Sequence, residues 1–171
     1  MNKIVFLKVT LLALFFLSGC KEKEKESTPD IKEVDLIAES FPKAQQEVKA
    51  VLDSLFVSIQ NRDIDELLSY HMYSDKFTEF RDQLKRTGPV ENEEYERGLI
   101  KNISAFDYDL ENLKIDVFDR VAIVTFNANF RPTIGENVVQ LWRQGTLVFV
   151  KNNGVWRITH EHLSPLEVEE S

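Results

Sequence analysis

Gly145-Thr146-Leu147-Val148-Phe149-Val150-Lys151-Asn152-Asn153-Gly154-Val155-Trp156-Arg157-Ile158-Thr159-His160-Glu161-His162-Leu163-Ser164-Pro165 decides the fold. Asn153-Gly154 sits between two apolar runs. A two-residue hairpin turn needs positive φ at its central positions, which Asn and Gly adopt at least cost. The strand before the turn runs from Val138 to Val150 and is apolar on both faces in its second half. In the strand after it, alternation places Trp156, Ile158, His160 and His162 on one face. Working backwards, Pro132 to Asn137 is a connection. Val121 to Phe130 is a longer strand, with Ala122, Val124, Phe126, Ala128 and Phe130 on one side. Asp119-Arg120 separates it from Leu113, Ile115 and Val117, which alternate with charged residues.

Upstream of residue 105 the apolar period lengthens. Pro42 suits a first helical turn. Val48, Val51, Leu52, Leu55, Phe56 and Ile59 then recur every three or four residues, and Asn61-Arg62 ends that helix. Asp63 reads as the N-cap of a second helix, with Glu66 three residues on and Ile64, Leu67, Leu68 and His71 facing inward. Residues 73–92 read as irregular, with a short element at Lys76–Phe80 and a turn at Thr87-Gly88-Pro89. Tyr95, Leu99 and Ile103 mark a third helix over 92–105. Helices first and strands afterwards predict an α+β domain with an antiparallel sheet. Roughly 130 residues suffice to bury its core.

Two segments carry a family likeness. Val117-Phe118-Asp119-Arg120-Val121-Ala122-Ile123-Val124-Thr125-Phe126 resembles the V-x-G-D-x-A-x-V-T strand pair of SnoaL-like domains, in the nuclear transport factor 2-like superfamily. Gly145 to Pro165 resembles the R-x-T-x-V-x-x-K-x-D-G-x-W-K-I-x-H-E-H-x-S ending of those domains, and Asn61-Arg62-Asp63 resembles their x-x-G-D turn. The likeness spans residues 45–165. It implies a cone-shaped curved antiparallel sheet packed on three N-terminal helices, with a pocket between them and homodimers through the sheet. Some members of the family are isomerases, cyclases, dehydratases or epoxide hydrolases; others bind or assemble without catalysis. Asp119, Arg120 and Asn153 depart from the pattern in turns, where the chemistry survives the change. Gln144 and Gly145 fall where many relatives place Arg and a small residue, with Arg143 one position away.

The resemblance also suggests where chemistry can sit. His160 and His162 are candidates for acid or base near neutral pH. Asp75 with Tyr73 or Tyr108 is similar to the Asp base and Tyr donor of ketosteroid-isomerase relatives. The plainer reading of that cluster is a helix end with packing tyrosines and an exposed acid. His71, Phe80, Tyr108, Phe126, Arg143 and Trp156 are candidate pocket-lining residues. Phe77-Thr78-Glu79-Phe80-Arg81 can place Glu79 or Arg81 at the pocket mouth, with Phe77 and Phe80 as core wedges. His71, His160 and His162 lack any further spacing that a metal site requires. No phosphate loop, serine-nucleophile motif or dinucleotide fingerprint occurs. No metal and no cofactor is expected.

The N-terminus supplies an address. Lys3 and Lys8 precede or flank an apolar stretch ending at Leu17-Ser18-Gly19-Cys20, which resembles a bacterial lipoprotein lipobox. The stretch is shorter than the roughly 20 residues of a membrane span, and a charged run follows it, as in a cleaved signal. Residues 1–19 thus read as a lipoprotein signal peptide, 20–40 as the lipidated Cys20 and a charged tether, and 41–168 as the folded domain. Cleavage would remove Lys3 and Lys8 and take the formal charge from −8 to −10. So acidic a domain is unsuited to nucleic-acid phosphates, and its expected membrane contact is the lipid anchor alone. The expected location is the bacterial cell envelope: the outer membrane or cell surface where two membranes exist. A homodimer and a small apolar ligand are the other expected partners. Cys20 is the only cysteine, so its lipidation would leave no thiol for catalysis, disulfides or metal binding. Labelling cells with radioactive fatty acid should mark the wild-type chain and leave Cys20→Ala unlabelled; label retained by the variant would sink the lipobox reading.

Overall fold

The computed structural model describes residues 34–168. Cys20, the signal segment 1–19 and residues 20–33 of the tether lie outside the described residues. Pro42 opens α1 (Pro42–Asn61), where a missing N–H costs nothing. Its buried stripe is Val48, Leu52, Leu55, Phe56 and Ile59, as the spacing predicts. Arg62 ends the helix in the left-handed region, at φ 58°. Asp63 caps α2 (Ile64–Ser69) by accepting from the Glu66 N–H at 3.0 Å. Glu66 does not return the bond; its carboxylate accepts from the Tyr70 hydroxyl instead.

The third helix departs from expectation. α3 spans Pro89–Asn102 rather than 92–105, because Gly88-Pro89 starts it and the Gly88 N–H is held by Glu91 Oε2 at 3.1 Å. Its buried stripe is Asn92, Glu96 and Ile100, not Tyr95, Leu99 and Ile103. Ile103 instead opens a strand.

The strands are β1 (Thr78–Arg81), β2 (Ile103–Phe118), β3 (Val121–Ile134), β4 (Asn137–Val138), β5 (Leu141–Asn152) and β6 (Val155–Pro165). They form one sheet in the order β1-β6-β5-β3-β2, with β4 pairing β3. All pairs are antiparallel except β1 with β6. Part of the segment read as irregular therefore supplies a parallel edge strand. The single strand expected from Val138 to Val150 is split into β4 and β5. Asn153 (φ 51°) and Gly154 (φ 81°) make the expected hairpin turn.

Two bulges set which side chains face the helices. In β2 the register slips between Glu111 and Lys114, with Asn112 left-handed at φ 52°. An extra residue moves the following side chains to the other face. The inner face accordingly changes from Phe106, Tyr108 and Leu110 to Leu113, Ile115 and Val117. In β6 the slip lies between His160 and Ile158, opposite Val148 and Phe149. The inner face there changes from Trp156 and Ile158 to Glu161 and Leu163. His160 and His162 therefore do not share a face with Trp156.

The helices pack on the inner face through one apolar core. Phe56 stacks on Tyr108 at 4.4 Å and meets Phe126 edge-on at 6.4 Å. Leu52 and Phe149 are fully buried, and each is worth about 1.5–3 kcal/mol relative to exposure. Trp156 Nε1 donates to Glu47 Oε2 at 3.0 Å, pinning α1 to the β5–β6 hairpin. Gly145 faces inward beneath the Phe126 ring. A methyl there would lie 2.6 Å from Phe126 Cε2 and 3.0 Å from Leu163 Cδ2. Gly145→Ala should thus cost about 1–3 kcal/mol, as overpacking does. A urea midpoint equal to that of the wild type would show that the ring moves aside freely.

Candidate functional site

Between the helices and the inner face lies a cavity of about 110 Å³. Most of its wall is apolar, including Phe56, Phe106, Phe126 and Phe130. One end is polar, where His71, Arg81, Glu96 and Glu161 converge. Each arrives from a different element: His71 just after α2, Arg81 from β1, Glu96 from α3 and Glu161 from β6.

The local backbone explains their placement. Ile158 N–H donates to Tyr70 O at 2.9 Å, and Met72 N–H donates to Ile158 O at 2.7 Å. The segment after α2 is thereby stitched to β6 just before the bulge, which holds His71 inward. Past the bulge β6 pairs with β1, so Glu79 lies beside Glu161 and Arg81 beside Leu163. The inward stripe of α3 adds Asn92 and Glu96.

His71 Nδ1 lies 3.1 Å from Leu67 O, and Nε2 lies 3.0 Å from Glu161 Oε1. A carbonyl only accepts, so Nδ1 carries a proton. One further proton is shared between Nε2 and Glu161. Burial opposes charge on His71, but the charge and hydrogen bond of Glu161 outweigh it and raise the imidazole above its usual pKa. Burial likewise opposes charge on Glu161, and His71, Arg81 and Asn92 outweigh it and lower that carboxyl. The pair is therefore imidazolium and carboxylate. Asn92 is fully buried and completes the set: its Nδ2 donates to Glu161 Oε2 at 3.1 Å, and its Oδ1 accepts from the Tyr73 hydroxyl at 2.6 Å.

Arg81 is committed to Glu79, whose other oxygen accepts from Thr87 Oγ1 at 3.1 Å. The guanidinium lies over the Tyr95 ring, 3.0 Å from its centroid. It reaches Glu96 only at 3.8 Å, beyond hydrogen-bond length. Glu96 is 8% exposed and faces the cavity. Burial first, and then the charge of Glu161, push its carboxyl up to about 7, against the opposing pull of His71 and Arg81. A carboxyl poised near neutral pH can give or take a proton there.

The sequence candidates are distributed differently. His71 and Phe126 line the cavity. Tyr73 stands behind it, stacked on His71 at 5.3 Å. His160 and His162 are corrected: they lie on the opposite, open face of the sheet. His160 Nδ1 is 2.8 Å from Thr78 Oγ1, and both rings neighbour Phe80, which is on that open face too rather than a core wedge. With His71 on the other side, the three histidines do not converge. Asp75 is exposed in the loop before β1. Tyr108 stacks on Phe56 outside the cavity lining. Arg143 pairs with Asp82 at 3.3 Å, and Trp156 is buried against Glu47. A larger depression of about 470 Å³ on the open face holds His162 but no charged side chain. Among the described residues, buried His71, Glu96 and Glu161 all line the smaller cavity.

Glu96, Glu161 and Asn92 were absent from the sequence candidates. The available signal was the four-residue spacing of Asn92, Glu96 and Ile100. Holding Glu96 protonated contributes stability that is complete below pH 4.5 and is lost as pH rises through about 7. Glu96→Gln mimics the protonated form. It should be about 3 kcal/mol more favourable at pH 8, relative to wild type, than at pH 4.5. Urea denaturation at both pH values checks this; an unchanged difference would refute the raised pKa.

The SnoaL-like domain family matches residues 48–167. Among solved structures, the chain is similar to a proposed dehydratase of the nuclear transport factor 2-like family from Streptomyces avermitilis. That match has 16% identity and a TM-score of 0.68, covering 74% of this chain and 99% of that one. It is also similar to a nuclear transport factor 2-like superfamily protein from Salmonella enterica, at 19% identity and TM-score 0.66, covering 77% and 96%. A third is a nuclear transport factor 2-like protein of unknown function from Pseudomonas putida, at 17% identity and TM-score 0.64, covering 77% and 93%. At these identities the likeness is one of fold alone. No curated protein matches the chain. From the family match, the chain belongs to the SnoaL-like domain family.

Proposed function

We propose that the cone takes a small amphipathic molecule into its cavity and exchanges a proton with it through Glu96, as a cofactor-free enzyme of the isomerase or dehydratase type. The observation that carries this reading is a cavity-facing carboxyl, buried, without a hydrogen-bonded partner, and held near pKa 7. His71, Glu161, Asn92 and Tyr73 form a fully bonded frame behind it. The acid–base group is thus Glu96 rather than His160, His162 or Asp75. We place the domain at the bacterial cell envelope, on a lipid at Cys20, as a homodimer through the open face of the sheet.

Cavity size favours a second reading. About 110 Å³ is below the roughly 300 Å³ of drug-sized ligand sites. Val, Leu, Ile and Phe side chains pack the interior around it. A binding or assembly module would need no more space. The two readings differ in whether bound ligand exchanges protons.

Butan-2-one is small enough to serve as a probe, and deuterium uptake at its α-carbons reports proton abstraction directly. The wild-type chain should accelerate uptake, with a rate that rises between pH 6 and 8 as Glu96 ionises and then levels off. Glu96→Gln should slow it about 100-fold, the usual scale of one acid–base group. Uptake unchanged in the variant would remove Glu96 from the chemistry.

A further inference from the structure

The polar end of the cavity becomes unbalanced in charge when Glu96 ionises. Two cations, His71 and Arg81, face three carboxyls, Glu79, Glu96 and Glu161. His71 is paired with Glu161, and Arg81 with Glu79 through one terminal nitrogen, its buried Nε having no hydrogen-bond partner. Glu96 is left with no hydrogen-bond donor, and nine-tenths of it is buried. Tyr73 and Tyr95, the other titratable groups packed nearby, remain neutral: burial, followed by surrounding carboxylates for Tyr73, raises the first, and burial raises the second. An anionic ligand would oppose ionisation of Glu96 and add negative charge beside Glu79 and Glu161. A neutral ligand would bring no charge to pair with Glu96 once it ionises.

The remaining wall points to the missing partner. Phe56, Phe106, Phe126 and Phe130 form one aromatic cluster, with centroids 5.7–6.4 Å apart along its contacts. Ring faces attract cations, more strongly where water is excluded. A water molecule's share of liquid volume is about 30 Å³, so the cavity of about 110 Å³ holds about four water-sized groups.

Resting on the reading that this cavity is the ligand site, we propose that its ligand is a compact organic ammonium ion, received by the carboxylate of Glu96 and packed against the rings of Phe56, Phe106, Phe126 and Phe130. The ammonium enters intact, and Glu96 releases its proton to solvent. No bond to carbon or nitrogen changes on binding. With the ligand in place Glu96 is a carboxylate, so it enters any subsequent chemistry as a base.

The probes are tert-butylammonium chloride and its neutral isostere tert-butanol, titrated calorimetrically into the full chain at pH 6 in two buffers of different ionisation enthalpy. The ammonium should bind wild type at least tenfold tighter than the alcohol and release about 0.9 proton, the fraction of Glu96 protonated one unit below a pKa of about 7. Glu96→Gln should lose the ammonium preference while binding the alcohol as before. Phe130→Leu should weaken the ammonium several-fold more than the alcohol, which gives a second reading should Glu96→Gln fold poorly. Equal affinity for the two probes in wild type, absent proton release, or a preference that survives Glu96→Gln overturns the ammonium assignment. Proton abstraction from butan-2-one would then still stand by itself. If neither probe binds and butan-2-one is not exchanged, the assignment and the ligand-site reading fall together.

Discussion

One extra residue in β6 governs the interior of this cone. The slip at Thr159 turns Glu161 towards the helices and His160 and His162 away from them. It coincides with a change of neighbour: Ile158 bonds to the segment around His71, while Thr78–Arg81 pairs with His160–Leu163. A strand can serve two partners at different heights only if its register changes between them. The bulge therefore brings His71, Arg81 and Glu161 to one place in a single step. Without it the strand would present a histidine to the interior, and the carboxylate would face outward.

Charge in this interior is costly. Burying ionised groups is repaid only by close pairing and complete hydrogen bonding, and apolar replacements are often as stable. His71, Glu161, Asn92 and Tyr73 meet that condition, each bond accounted for. Glu96 does not. It is buried beside two other carboxylates and avoids the cost by holding its proton. A residue that weakens the fold above neutral pH supports a role in ligand chemistry better than a role in packing.

The same geometry limits what the cone can hold. Gly145 leaves room for the Phe126 ring, and Phe126 with Phe56 and Phe130 narrows the cavity. Interiors are packed to the density of organic crystals, so a larger ligand would require these rings to move together. The polar end is framed by backbone bonds from α2, β1 and β6. The aromatic end is lined by rings from α1, β2 and β3. Selectivity for size therefore lies with the phenylalanines, and selectivity for charge with Glu96.

Much of the fold was legible from local pattern. The stripe of α1, the cap at Asp63, the hairpin at Asn153-Gly154 and the inward set of β3 follow from periods and turn chemistry that neighbouring residues impose on one another. The family ending from Gly145 to Pro165 carried the cone as well. The site was not legible in the same way. Alternation through Trp156-Arg157-Ile158-Thr159-His160-Glu161-His162 predicts inward histidines, and nothing in Thr159 announces a bulge. The phase of α3 was equally hidden, because Asn92 and Glu96 look like surface residues until Tyr73 and Glu161 are placed against them. Local sequence determined most of the helices and strands, though not β1, since those preferences act over a few residues. Only the tertiary structure decided which face of β6 and of α3 turns inward, because that depends on hydrogen bonds to strands and loops some 80 residues away.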